Sequence, residues 1–182
     1  AETIAAIWLL GQAGIDVPNG IITLVMGKGD GTVSLPWGRD TAHAVAGNGT
    51  IRCVSLDGVR MTPDRNIGRD PRDTTADIPI SDLIENPVQV VGALVRSCQM
   101  AGAVSMALDL SVEYANTRIQ FGRPIGRFQA IQQQLAELAG EVAAADVAAR
   151  DACRAIDRGG DFFAAAASAK IRTGEAAGKV AN

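Results

Sequence analysis

Gly122, Pro124 and Gly126 fall within five residues of one another, between two long apolar-patterned stretches, roughly Pro87 to Thr117 and Gly126 to Asp157. Proline cannot continue a helix and the glycines free the backbone, so the chain must reverse here. Two long helices joined by so short a reversal lie antiparallel, which points to a helical bundle. In the second stretch Phe128, Ile131, Leu135, Leu138 and Val142 recur at steps of three and four, placing them on one stripe. The first is apolar on several sides, with Val91, Leu94, Val95, Met100, Val104, Met106, Leu108 and Leu110, and is expected to be the bundle's central helix. A third helix is expected from Asp161, its cap, onward, and alanine-rich faces on the second and third let them approach closely.

Ahead of residue 86 the texture differs. Thr3 to Gln12 reads as a short helix stopped by Gly14. From Ile15 to about Pro79, β-branched runs such as Ile21-Ile22-Thr23-Leu24-Val25 and Ile51-Arg52-Cys53-Val54-Ser55-Leu56 read as strands. The separators Gly27-Lys28-Gly29-Asp30-Gly31, Gly47-Asn48-Gly49 and Asp57-Gly58 supply the positive φ angles of hairpin turns, so a small antiparallel sheet or barrel is expected. Between Arg60 and Asp73, four Arg and three Asp surround Pro63 and Pro71, the pattern of a solvated loop or linker. The fold class is thus α+β, a small antiparallel β-domain followed by an antiparallel helical bundle.

Composition removes several function classes. A net charge of −3 with interleaved signs and 4% aromatic residues gives nucleic acid no electrostatic footprint. Three cysteines without a Cys-x-x-Cys spacing and the single His43 do not assemble a familiar metal site, so none is assigned; buried free thiols in a reducing, cytoplasmic compartment are expected. Arg96, Ser97 and Gln99 interrupt the apolar run of the long helix, which argues against a membrane span. Asn48-Gly49-Thr50 reads as a turn between strands. Gly27 to Gly31 lacks the Gly-Lys-Ser/Thr ending of a phosphate-binding loop, His43 has no identifiable nucleophile partner, and Asp109 with Glu113 is a like-charged pair facing solvent. Trp37 reads as a packing residue between the sheet and a neighbour.

The residues that carry chemistry sit around the reversal. Arg118 offers a fixed fork of donors suited to phosphate oxygens, Phe121 a face for an adenine or ribose, and Gln129 an amide for a polar ring or hydroxyl. Together they suit a nucleotide-like cofactor. Spacing alone favours the plainer roles, in which Arg118 complements the carbonyl end of its helix, Phe121 joins the core and Gln129 decorates a first turn.

Tyr114, Ala115, Arg118, Phe121, Gly122, Ile125, Phe128 and Gln129, followed by Leu135-Ala136-Glu137-Leu138, resemble the flavin-contacting turn of the acyl-CoA dehydrogenases. The resemblance is weaker through Ala169-Lys170-Ile171-Arg172 and through Val33 to Asp40, which looks like the strand entering that family's β-domain. It implies a remnant of an N-terminal helical domain at 1–14, a β-domain at 15–80 and the C-terminal bundle at 86–182. It implies FAD as cofactor, with Arg118, Phe121 and Gln129 reaching across a subunit interface to its pyrophosphate and adenosine end. An acyl-CoA substrate, a homo-oligomer or a related dehydrogenase subunit as partner, and an electron-transfer flavoprotein as acceptor follow from the same resemblance.

Chemistry in that family is α,β-dehydrogenation of a CoA thioester, with a carboxylate as base. The base's commoner position lies beyond Asn182. Its alternative position aligns near Gly92-Ala93, neither of which takes a proton, and Glu85 is displaced from it by roughly ten ångström at 1.5 Å per helical residue. No catalytic residue is therefore assigned. Two readings stand: an active subunit, or a non-catalytic structural subunit completing the flavin site of a catalytic partner. A helical binding module without cofactor is the third.

Overall fold

The first eleven described residues already set the pattern of the N-terminal half, a helix laid on a sheet. Helix α1 (Glu2–Gln12) buries Ala5, Ala6, Leu9 and Leu10, one face at helical spacing, against strands β1 (Ile22–Leu24), β4 (His43–Gly47) and β5 (Ile51–Ser55). It ends as its glycine demands. Gly14 has φ 66°, its N–H donates to Gly11 O, and Ile15 N–H donates back to Leu10 O, the paired bonds of a left-handed C-terminal cap. The computed structural model describes residues 2–27, 32–47, 50–78 and 87–181, and the chain divides into two units, Ala1–Val95 and Arg96–Asn182.

In the first unit two three-stranded sheets form, β1-β4-β5 and β2 (Met26–Gly27)-β3 (Val33–Pro36)-β6 (Arg72–Thr75). The sequence reading expects a small antiparallel sheet or barrel, yet β1 and β4 run parallel, with Ile22 opposite His43 and Leu24 opposite Val45. The reason is topological: between them the chain leaves through β2 and β3 and a 3₁₀ turn at Gly38–Asp40 before it returns. Thr23 Oγ1 donates to Pro36 O at 2.8 Å and ties the sheets together over a core of Val25, Val33, Leu35, Ala44, Ala46 and Leu56. The expected turns at Lys28–Gly31 and Asn48–Gly49 lie outside the described residues, although the strands flanking each pair antiparallel. Gly58 does take a positive φ, 73°, and Val59 N–H closes that turn on Leu56 O.

The charged stretch from Arg60 to Asp73 is not wholly solvated. Arg72 and Asp73 belong to β6, which pairs with β3 through Pro36↔Arg72 and Leu35↔Asp73. Asp73 is fully buried: its carboxylate accepts the backbone N–H and the Nε of Arg39, each at 2.9 Å. Arg72 pairs with Glu2 of α1 at 3.3 Å. A buried carboxylate persists only when so partnered, and its partner lies too far along the chain for local pattern to reveal.

Helix α2 (Pro87–Thr117) has the bounds its periodicity predicts, and its first turns bury Val88, Val91 and Leu94 in the first unit. With a mean hydropathy of 1.3 over its most apolar window it is also long and apolar enough to cross a bilayer, so the polar trio at 96–99 does not break it as expected. In the second unit its remainder accompanies helices α3 (Gln129–Asp157) and α4 (Phe163–Val180). Ala145, Ala149 and Ala152 on α3 face Ala166, Ala169, Thr173 and Ala176 on α4 at steps of three and four, and small side chains permit that close packing. Val104, Val142, Ala145 and Ala176 join all three helices in one cluster. The N-cap of α4 is Phe162 rather than the expected Asp161, which stands one residue earlier and whose Oδ1 accepts Phe163 N–H at 2.9 Å. Central burial of α2 does not hold throughout: Met106 is 57% and Leu110 53% exposed, because α3 and α4 cover only part of its surface.

Candidate cofactor-contacting site

The reversal between α2 and α3 is built as a two-stranded hairpin rather than a bare turn. Strand β7 (Ile119–Gln120) pairs antiparallel with β8 (Arg123–Pro124), leaving Phe121 and Gly122 as a two-residue loop with φ of 51° and 78°. Both central φ values are positive, as the hairpin turn matching strand twist requires, and glycine meets that demand freely. Phe121 does not. An L-residue with a Cβ is held in the left-handed region at a cost of about 1–2 kcal/mol. Arg118 O accepts Ile125 N–H at 2.9 Å and closes the hairpin base. Gly126 lets a 3₁₀ turn (Ile125–Arg127) pass the end of α2, since a Cβ there would stand 3.1 Å from Ala115 O.

This geometry puts the three candidate side chains on one short segment, all at the surface. Arg118 follows the last residue of α2 and Gln129 begins α3; both are exposed, and neither side chain has a hydrogen bond or ion pair among the described residues. Phe121 is 91% exposed and meets Phe128 edge to face, with ring centroids 6.2 Å apart at 88°. The core role open to Phe121 from spacing alone is thereby excluded.

One contributor escaped sequence reading. Arg123 places its guanidinium 4.3 Å from the centroid of Phe128, a cation over an aromatic face, so Arg123, Phe128 and Phe121 form a ladder across the hairpin. The basic residue two positions beyond Phe121 was a signal, but only the hairpin's register brings it over the ring. Beside the hairpin an open apolar groove of about 350 Å³ is lined by Leu110, Tyr114, Ile125, Ile131 and Leu135, which is where the stripe on α3 begins.

Other singled-out residues do not join the site. His43 lies on β4 opposite Ser55 with its Nδ1 buried and unpartnered, and Asp109 and Glu113 are exposed as read. Trp37 is half-exposed at φ 56°. Gly92 and Ala93 sit in α2, and Glu85 lies outside the described residues. Among the described residues no cluster of three His, Cys, Asp or Glu side chains is placed to hold a metal.

A sequence model of the acyl-CoA dehydrogenase C-terminal domain matches residues 90–182, which covers the hairpin and all of α3 and α4. The chain belongs to the acyl-CoA dehydrogenase family. Acyl-CoA dehydrogenase IpdE2 of Mycobacterium tuberculosis is 38% identical over 96 residues, 52% of this chain and 29% of its own length. The 3-sulfinopropanoyl-CoA desulfinase of Paraburkholderia xenovorans is 33% identical over 141 residues, 73% of this chain and 36% of its own. This acyl-CoA dehydrogenase family chain therefore spans about a third of these two relatives. In fold it is similar to the crystal structure of the ChsE4-ChsE5 complex from Mycobacterium tuberculosis, with a TM-score of 0.78 and 20% identity, covering 99% of this chain and 62% of that one. Within the family match α2 reads as a bundle helix, its apolar surface serving helix packing.

Proposed function

We propose that the chain is part of an FAD-dependent acyl-CoA dehydrogenase that catalyses α,β-dehydrogenation of a CoA thioester. The observation that carries this reading is the hairpin, which holds a guanidinium, an aromatic face and a carboxamide at the surface, with Arg118 and Gln129 unpartnered inside the chain. That donor set fits a dinucleotide: Arg118 would hold the pyrophosphate as a charge-assisted fork, Phe121 would stack on the adenosine, and Gln129 would bond a polar edge or hydroxyl. A bound flavin would supply the hydride-accepting chemistry. This chain's part is to grip and orient the nucleotide end, with the rest of the cofactor housed by an adjoining polypeptide. On this reading residues 1–14, 15–80 and 86–182 are a helical-domain remnant, the β-domain and the bundle. The partner is a second copy or a related dehydrogenase subunit, electrons pass to an electron-transfer flavoprotein, and the enzyme is cytoplasmic.

Purified with its partners, the protein is expected to be yellow and to bleach on addition of an acyl-CoA. Arg118→Ala should remove hydrogen bonds to a charged group, each contributing about 1.5–3 kcal/mol, which is roughly ten- to a hundred-fold in flavin affinity. Normal flavin content in that variant overturns the assignment.

A second reading is favoured by Gly92 and Ala93, which place no carboxylate at the family's alternative base position on α2. The chain is then a non-catalytic structural subunit that completes the flavin site of a catalytic partner. Flavin bound only by the mixed complex, with activity lost on removing the partner's base alone, supports this second reading.

A further inference from the structure

Two of the three cysteines, unused by the flavin reading, meet between α2 and α3. Cys98 Sγ lies 3.5 Å from Cys153 Sγ, and neither is in a disulfide. The expectation of buried thiols fails for Cys98, which is exposed, while Cys153 is half-buried. Both sulfurs border an open surface groove of about 490 Å³ whose rim carries Asp146, Arg150 and Arg154, so a small polar reagent reaches them. Arg150 is engaged with Asp146 at 2.7 Å. A disulfide needs its sulfurs about 2.0 Å apart, so the pair must close by roughly a further 1.5 Å, a movement on the scale of side-chain rotation.

We propose that Cys98 and Cys153 form an oxidisable dithiol that closes to an intramolecular disulfide and staples α2 to α3. With hydrogen peroxide as oxidant the step balances. One thiolate attacks a peroxide oxygen, becoming a sulfenic acid as water leaves; the second thiol attacks that sulfur and displaces a second water. Two sulfurs together lose two electrons, the O–O bond takes them, and the two S–H protons end in the two waters. Partial desolvation of its sulfur, and then the hydrogen bond shared with Cys153, push Cys98 up to about 11, so little of it is thiolate at neutral pH. The staple encloses the whole hairpin, because the two cysteines are 55 positions apart and the flavin-contacting residues lie between them.

The test exposes the reduced protein, with whatever partners it is purified with, to hydrogen peroxide, alkylates the remaining thiols and maps the peptides by mass. The expected product is one dithiothreitol-reversible link joining the Cys98 and Cys153 peptides, with Cys53 still alkylated. Oxidised protein should melt about 5 °C or more above reduced protein. Cys98→Ser and Cys153→Ser should each abolish both the link and the melting difference. Full alkylation of Cys98 and Cys153 after peroxide, links to Cys53 or between copies, or sulfinic acid at either position without a link, would each overturn the proposal. The wild-type map alone decides this even where a serine variant fails to fold, and because it does not involve flavin its outcome is separate from that of Arg118→Ala.

Discussion

Removing the carboxylate of Asp73 probes a buried ion pair of the first unit. The side chain of Asp73 is 1% exposed and that of Arg39 is 53% exposed, so the two partners respond differently to losing each other. In Asp73→Ala the guanidinium rehydrates, and the cost is the pair of bonds to Arg39, one of them from its backbone N–H. Bonds to a charged group contribute about 1.5–3 kcal/mol each and a broken buried pair costs about 3–5 kcal/mol, so rehydration of Arg39 brings the expected loss to about 2–3 kcal/mol. Arg39→Ala should cost about as much, because it leaves a charge in the sheet with only one backbone donor. Urea unfolding followed by circular dichroism measures both. With a slope of about 1–3 kcal/mol per molar, each variant should lower the midpoint by roughly 1 M. The double variant should lose far less than the sum of the singles, since one interaction is being removed twice. Strictly additive losses, or an Asp73→Ala midpoint equal to wild type, would refute this account of the buried carboxylate.

Two other outcomes are expected. Lys179 and Arg172 hold the Glu141 carboxyl below the ordinary glutamate range, so their pairing stabilises the bundle above that range and is lost as pH falls through the lowered folded value; melting of Glu141→Gln should depend less steeply on pH across that acid window, and identical slopes would remove Glu141 from the account. Phe121→Asn replaces a residue strained at φ 51° with one that tolerates the left-handed region and makes the favoured Asn-Gly hairpin, so chemical denaturation should show a gain of about 1 kcal/mol while flavin retention in the complex falls.

What could be read from the sequence was whatever repeats locally. The bounds of α2 follow from its apolar recurrence, and Ile22–Leu24 and Ile51–Ser55 from β-branched runs between turn residues. Strand β6, Arg-Asp-Thr-Thr, carries no apolar alternation; it is a strand because β3 pairs with it, and Asp73 tolerates burial because Arg39 arrives from 34 positions away. The start of α3 slipped from Gly126 to Gln129 because a 3₁₀ turn and an extended Phe128 intervene, and no propensity distinguishes that from a first helical turn. At the site, Arg118, Phe121 and Gln129 were legible as residue types, whereas the hairpin and the stacking of Arg123 on Phe128 depend on register.

The hairpin's energetics and its function then bear on each other. A ring at 91% exposure buries almost no apolar surface, and its edge-to-face contact with Phe128, worth about 0.5–1.5 kcal/mol, offsets only part of the about 1–2 kcal/mol strain of its φ. For the isolated chain Phe121 is therefore a net cost of up to about 1 kcal/mol, and an asparagine would serve the turn better. Strain held without full internal compensation points to a contact made outside the chain. The same holds for Arg118 and Gln129, which on either side of that loop have no partner within it. If the three act on one nucleotide, Phe121→Asn and Arg118→Ala should both weaken flavin retention while only the first raises stability. A hairpin merely tolerating an awkward residue would gain stability on substitution and lose no flavin, and that single dissociation separates a built site from an accident of the turn.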